Sequence, residues 1–254
     1  MEQTGSDPAA NNPPSIDAFL NDRFRVFQPT DGGHRAGLDA LLLAASVPLD
    51  AQGSCADFGS GSGVAGLAAL TGVPGLTRLD LIERQPNAAA LARQTRAQLL
   101  DPSIAARVKV VEGDVRDHEG DYHHIICNPP YNDAGFRPSP NANRATAHAM
   151  DELQLKDWVD AARRCLIANG RFAIICRPSG LGDMLDALGR GFGAVRVLPI
   201  HSKPGLDANR IILTAIKGRK TPVAILPGFI VHHEDGRFTE VAEAIFAGEA
   251  RLSV

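Results

Sequence analysis

The chain has 254 residues, of which 44% are apolar and 22% charged, with a net charge of −3 and an isoelectric point of about 6.2. This size and balance suit one sizeable soluble globular domain, and no apolar run reaches the length that spans a bilayer. The mild acidity argues against a general nucleic-acid binder, whose domain is usually basic, and leaves room for a local basic face.

Residues 1–20 are predicted to form a disordered tail. Residues 1–15, MEQTGSDPAANNPPS, carry no basic n-region and no apolar core, so they are not a signal peptide. Phe19, Phe24, Val26 and Phe27 predict a short strand or cap within 16–30. A turn-rich loop containing Arg35 and Gly37 then feeds an apolar helix, Ala40 to Ala45, with Asp39 at its start and Pro48 beyond its end. Arg35 and Asp39 are read either as site residues or as a helix cap and surface charge.

Ser54 to Phe58 reads as a strand, Gly59-Ser-Gly61-Ser-Gly63 as a turn and Val64 to Leu70 as a helix. Glycines let the backbone take positive φ and approach a ligand closely. The spacing after Asp57 is GxGxG, unlike the GxGxxG of dinucleotide folds, and predicts a nucleoside ligand without a pyrophosphate. Arg78 to Glu83 is a second strand ending in a carboxylate, 26 residues past Asp57, near where nucleotide-binding folds place an acid for ribose hydroxyls. Pro86 suits the first turn of the next helix, which runs to about Leu100. A third strand, Val108 to Asp114, also ends in an acid. Tyr122 to Cys127 is an apolar run halted by Asn128-Pro129-Pro130-Tyr131, because neither proline can donate to a ladder. Asp57, Glu83, Asp114 and Asn128 are thus predicted along the carboxyl edge of a parallel sheet, where ligands of open α/β sheets sit.

The Asn128 cluster can handle an exocyclic aromatic amine. The Asn128 side-chain oxygen and the Pro129 carbonyl can each accept one N–H of such an amine, Tyr131 offers a stacking face, and the Pro129-Pro130 backbone is preorganised. The long polar segment 132–147, which carries Arg137 and Arg144, is predicted to be a substrate clamp or a solvated loop. Asp151 to Ala168 reads as a helix with Trp158 in the core, Arg171 to Cys176 as a strand and Leu181 to Leu188 as a helix. Ala194 to Ile200 and Arg210 to Ile216 follow without a helix between them, which predicts an antiparallel edge hairpin. Lys203, Arg219 and Lys220 join Arg137 and Arg144 as candidate phosphate contacts. Residues 221–254 are predicted to form a hairpin at Asp235-Gly236 and a short helix, Val241 to Phe246, packed on a single 21–220 domain. The pairs His123-His124 and His232-His233 lack metal-ligand spacing, so no metal is predicted. Cys55, Cys127, Cys165 and Cys176 lie in or beside apolar runs without CxxC spacing, which predicts buried free thiols in a reducing cytoplasm.

The order of strand, GxGxG, helix, Glu83, Asp114 and NPPY resembles class I S-adenosylmethionine-dependent N-methyltransferases over roughly residues 25–220. The segment from Arg35 to Leu43 and the tail from Val231 to Ile245 resemble the bacterial tRNA1(Val) adenine N6-methyltransferase group. The resemblance implies a Rossmann-like, doubly wound, mostly parallel seven-stranded sheet with an antiparallel edge hairpin. It also implies S-adenosyl-L-methionine as cofactor and a tRNA adenine beside the anticodon as substrate. Gly59, Gly61 and Gly63 would contact the methionine end, Glu83 the ribose and Asp114 the adenine, with Arg35, Asp39, Asp57 and Asn128 also in the cofactor site. Asn128, Pro129, Pro130 and Tyr131 would hold the target base. The alternatives are a protein-glutamine N5-methyltransferase of the release-factor type, which shares NPPY but resembles a catalytic domain behind a larger N-terminal one, a DNA adenine methyltransferase, and a non-catalytic RNA-binding module.

Overall fold

The computed structural model describes residues 13–30, 35–130 and 153–254. Among these, β3 (Gly53–Phe58), β4 (Leu76–Glu83), β5 (Val108–Glu112), β6 (Tyr122–Cys127) and β7 (Leu166–Cys176) form a parallel run in the order β7-β6-β3-β4-β5. Beyond β7 the sheet continues through β9 (Ala208–Lys217) and β8 (Phe192–His201), with β9 antiparallel to both neighbours. The antiparallel edge hairpin predicted from the loss of helix alternation is therefore present. Among the described residues the sheet has nine strands rather than seven. The two extra ones, β10 (Ala224–Ile225) and β11 (Phe229–Ile230), are two-residue pieces that pair with β8 in parallel. Pieces that short carry no periodicity for a sequence reading to detect.

Strand residues alternate between two cores because successive side chains point to opposite faces. Cys55 and Ile126 face one cluster with α1 (Leu38–Ala45), α2 (Val64–Gly72) and Ala92 of α3 (Pro86–Gln98). Ala56 and Ile125 face the other, with Trp158, Ala162 and Cys165 of α5 (Leu155–Cys165) and Met184 and Leu188 of α6 (Leu181–Leu188). A short helix, α4 (Pro102–Ala105), precedes β5. Val231, Leu252 and α7 (Glu240–Phe246), through Ala242 and Ile245, pack into the α1 core. All four cysteines are buried and free, and no helix among the described residues is long and apolar enough to cross a membrane.

Several boundaries differ from the sequence reading. Ser15–Phe19, placed in the tail, forms β1 against β2 (Phe24–Gln28) as a separate antiparallel pair. The helix expected over 151–168 ends at Cys165, because Leu166 pairs with Tyr122 and starts β7 early. Its N-terminus is set by Gln154 and Asp157, each side chain accepting from the other's backbone N–H. At Asp235-Gly236 the chain turns with Gly236 at φ +90°, yet only one antiparallel bridge, His232 to Phe238, flanks it instead of a full hairpin.

Candidate active site

The register places the polar residues on one level. Phe58 lies opposite Ile82 on one side and Cys127 on the other, so Gly59, Glu83 and Asn128 emerge side by side from adjacent parallel strands. Asp114 follows two residues after β5 ends. Beyond β6, Cys127 pairs with Ile174, which sets Arg177 beside Pro130.

The glycine turn is bent toward β4. Gly59 and Ser60 N–H both donate to the Ile82 carbonyl, at 2.9 and 3.1 Å. Gly59 and Gly63 sit at φ +68° and +95°, where a β-branched or bulky side chain is strained. A methyl group on Gly59 would also lie 2.7 Å from Trp158 Cη2, and one on Gly63 2.7 Å from a Leu81 methyl. Trp158, 4% exposed, is thus the floor on which the turn rests. Beside Gly61, by contrast, there is open space.

Glu83 has two anchors. Its Oε2 accepts from Gly61 N–H at 2.8 Å and its Oε1 from Gln85 N–H at 2.7 Å. The carboxylate therefore braces the glycine turn and fixes its own orientation, while each oxygen keeps a lone pair for a further donor. Asp114 accepts from the Arg116 backbone N–H at 2.8 Å and from its guanidinium at 2.7 Å. The Arg116 hydrogen bond holds the Asp114 carboxyl below the usual carboxylate range.

Asp57 is placed differently. It is 1% exposed, beneath the turn, and Oδ2 accepts from Gly66 N–H in the first turn of α2 at 2.8 Å. Burial pushes its pKa up to about 7, against the lowering effect of the Gly66 bond. Between about pH 4 and pH 7 the folded state then holds a proton that the unfolded state has lost, so this group's stabilising effect is present in acid and lost as pH rises through 7. Asp57→Asn keeps an acceptor for Gly66 and removes the titration. The melting temperature of the variant relative to the parent is expected to climb from pH 5 to pH 8; a difference that stays constant with pH would contradict the assignment.

Arg35 and Asp39 are occupied in fastening the start of α1. Arg35 pairs with Asp17 of β1 at 2.6 Å and donates to Ser15 Oγ at 3.0 Å. Asp39 pairs with Arg210 of β9 at 2.8 Å. Asn128 is half-buried, Pro129 buried and Pro130 exposed. Next to the two prolines is a cleft of about 920 Å³ lined by Trp158, Lys156, Arg177 and Ser179, among others, within the size range of small-ligand pockets. Tyr131, Arg137 and Arg144 lie outside the described residues. Lys203 follows β8 at the carboxyl edge, where its ammonium donates to the Glu234 carbonyl at 3.0 Å. Arg219 and Lys220 follow β9, which runs the other way, and so lie at the opposite edge of the sheet. Lys203 therefore does not share an edge with Arg219 and Lys220.

The family model for the methyltransferase small domain matches residues 35–203. The chain belongs to that family. A protein of Aeromonas hydrophila named tRNA1(Val) (adenine(37)-N6)-methyltransferase is 29% identical to it, over 81% of this chain and 86% of that one. A protein of the same name from Shewanella putrefaciens is 31% identical, over 77% and 82%. Among solved structures, one described as a predicted O-methyltransferase from Agrobacterium tumefaciens superposes with a TM-score of 0.70 at 28% identity, covering 84% of this chain and 98% of its own. A Thermus thermophilus 16S rRNA N2 G1207 methyltransferase, solved with AdoMet and guanosine, shares the fold with a TM-score of 0.52 at 16% identity, over 82% and 46%. Family membership makes the protein a methyltransferase and fits the parallel sheet with its carboxyl-edge site.

Arg116, Trp158 and Arg177 were not singled out as site residues by sequence reasoning. Arg177 had a usable signal: it ends the strand next to β6. Arg116 had one too, lying two residues from the Asp114 that it pairs with; Trp158 had none, since its contact with Gly59 is fixed only by tertiary packing.

Proposed function

We propose that this methyltransferase uses S-adenosylmethionine to methylate the exocyclic N6 amine of an adenine in tRNA, with the adenine beside the anticodon of tRNA1(Val) as first candidate. The observation that carries this reading is the emergence of Asn128-Pro129-Pro130 on the same level as Gly59 and Glu83. The names of the relatives from Aeromonas and Shewanella support the tRNA substrate.

The chain's residues fit the cofactor. Open space beside Gly61 and Gly113 leaves a cradle along the carboxyl edge, and Glu83 is oriented to accept from ribose hydroxyls. S-adenosylmethionine, when bound, supplies an electrophilic methyl group on a sulfonium sulfur. Asn128 and the Pro129 carbonyl would each accept one N–H of the target amine, holding its nitrogen in line. Tyr131 is assigned the stacking face and the neighbouring cleft the flipped base. After transfer the methylated nitrogen is cationic, and its surplus proton is then acidic enough to pass to water without a dedicated base. We assign catalysis to a single 21–220 domain carrying residues 221–254, working in the cytoplasm.

Incubation with labelled S-adenosylmethionine and, separately, tRNA, duplex DNA and release factor tests the reading. Label is expected in tRNA; label in release factor alone would instead establish the glutamine N5 reaction. Glu83→Ala is expected to weaken S-adenosylmethionine binding by about 1–3 kcal/mol, the range for hydrogen bonds to a charged group. Calorimetry giving unchanged affinity would remove Glu83 from the site.

A further inference from the structure

The amino edge of the sheet, opposite the methyl-transfer site, carries a cluster of cations that no part of that site uses. Arg171 opens the pairing of β7 with β9 and its guanidinium donates to the Val254 carbonyl at 3.5 Å, and Arg196 lies on β8, both directed to the same face. Burial and the Arg196 charge lower the pKa of Arg171, with Asp50 the carboxylate acting against this. Arg219 and Lys220 are exposed, and with Ala194, Ile216, Thr221 and Pro222 they line a shallow hollow of about 540 Å³. Arg196, Arg219 and Lys220 make no ion pair among the described residues. Elsewhere on the molecule several arginines are matched with acids, as in Arg25 with Asp22, Arg93 with Glu112 and Arg237 with Asp235.

The backbone here is bent to present the cluster. Ala194 takes φ +50° at an irregularity between Gly193 and Arg196. Its N–H donates to the Thr221 carbonyl at 3.2 Å, and a methyl on Gly193 would lie 2.3 Å from the Arg219 carbonyl. The segment Arg219 to Thr221 is thus laid directly against β8. Left-handed backbone at a non-glycine residue costs on the order of 1–3 kcal/mol and persists only where the surroundings enforce it.

The position can be measured along the strands. Asn128 is level with Ile175 and hence with Ile212 of β9. Five residues on, at about 3.4 Å each, and two strands across, at about 4.8 Å each, the end of β9 is about 20 Å from Asn128. At about 3.4 Å per stacked nucleotide, a strand passing around the surface needs at least about six nucleotides to cover this separation.

We infer that Arg171, Arg196, Arg219 and Lys220 form a second, sequence-independent site for the phosphate backbone of the RNA substrate, its far end at Arg219 and Lys220 about 20 Å from Asn128, which makes efficient methylation depend on substrate length. This rests on the RNA reading above. It also accounts for how a chain of net charge −3 can hold RNA: the cations are concentrated where the nucleic acid runs.

The test compares full-length tRNA with a pentanucleotide centred on the target adenine, using the parent and the double variant Arg219→Gln/Lys220→Gln, with Arg196→Gln as an independent second variant. In the parent, kcat/KM is expected to be at least about tenfold higher for tRNA than for the pentanucleotide. The double variant should bring that ratio close to one and reduce the slope of log affinity against log salt by about 1.5–2, the value for two lost phosphate contacts. Affinity is read by fluorescence anisotropy with labelled tRNA and does not depend on turnover. An unchanged ratio and slope in both variants, or equal loss on both substrates, overturns the site. Salt-dependent tRNA binding that falls in the variants, with no methyl transfer to any tRNA, overturns the proposed activity and leaves the site standing.

Discussion

Trp158→Ala is expected to lower the unfolding free energy by about 3–5 kcal/mol, the range for truncating a buried aromatic residue, and to weaken cofactor binding at the same time. Trp158 is 4% exposed and packs with Phe58, Ile125 and Met184 in the second core. Its ring also supports Gly59 from below, so that even a methyl group there would collide with it. Removing it leaves the glycine turn without a floor, and domains of this kind have only about 5–15 kcal/mol of stability in total. Trp158→Phe keeps a flat ring and should recover most of both losses. Urea unfolding followed by circular dichroism avoids reliance on tryptophan fluorescence, since this is the chain's one tryptophan. A loss under about 1 kcal/mol would show that the ring does not support the turn.

The coupling seen at Trp158 marks the limit of what the sequence shows. The strand ends at Phe58, Glu83 and Cys127 were legible because each apolar run stops at a polar residue, a glycine or a proline. Parallel pairing then aligns them without further information. The glycine turn was legible for the same local reason. The partners of the charged residues were not. Asp39 meets Arg210 across 171 positions of sequence, and Arg35 meets Asp17 in a strand that composition assigned to a tail. Helix periodicity could place Trp158 in the core but could not show that it lies under Gly59.

The basic residues show a different kind of shortfall. The loss of alternation after Leu188 already indicates an antiparallel hairpin. A strand antiparallel to β7 must finish at the amino edge, so Arg219 and Lys220 belong far from Asn128 on topology alone. The direction of β9 is the informative feature. Lys203 follows the strand before the reversal and remains on the carboxyl edge for that same reason.

Asn128→Ala is expected to reduce the methylation rate at least about a hundredfold while leaving S-adenosylmethionine binding near normal. The side chain emerges from β6 level with Gly59 and Glu83, yet it makes none of the contacts that shape the glycine turn: those come from Ile82, Glu83 and Gly61. Removing it takes away one acceptor for the target amine and leaves the cofactor cradle intact. The loss of one preorganised polar contact at a reacting centre costs about 10²–10³ in rate. Pro129 is buried and keeps its carbonyl, so the amine would be held by one bond instead of two and its lone pair would no longer be fixed in direction. Tyr131 allows a second, independent reading of the same pocket. Tyr131→Phe preserves the stacking ring and should cost far less than Tyr131→Ala. Single-turnover rates with saturating cofactor separate these cases from binding defects. A fully active Asn128→Ala would make Asn128-Pro129-Pro130 a structural turn, and equal harm from the two Tyr131 substitutions would transfer the role from its ring to its hydroxyl.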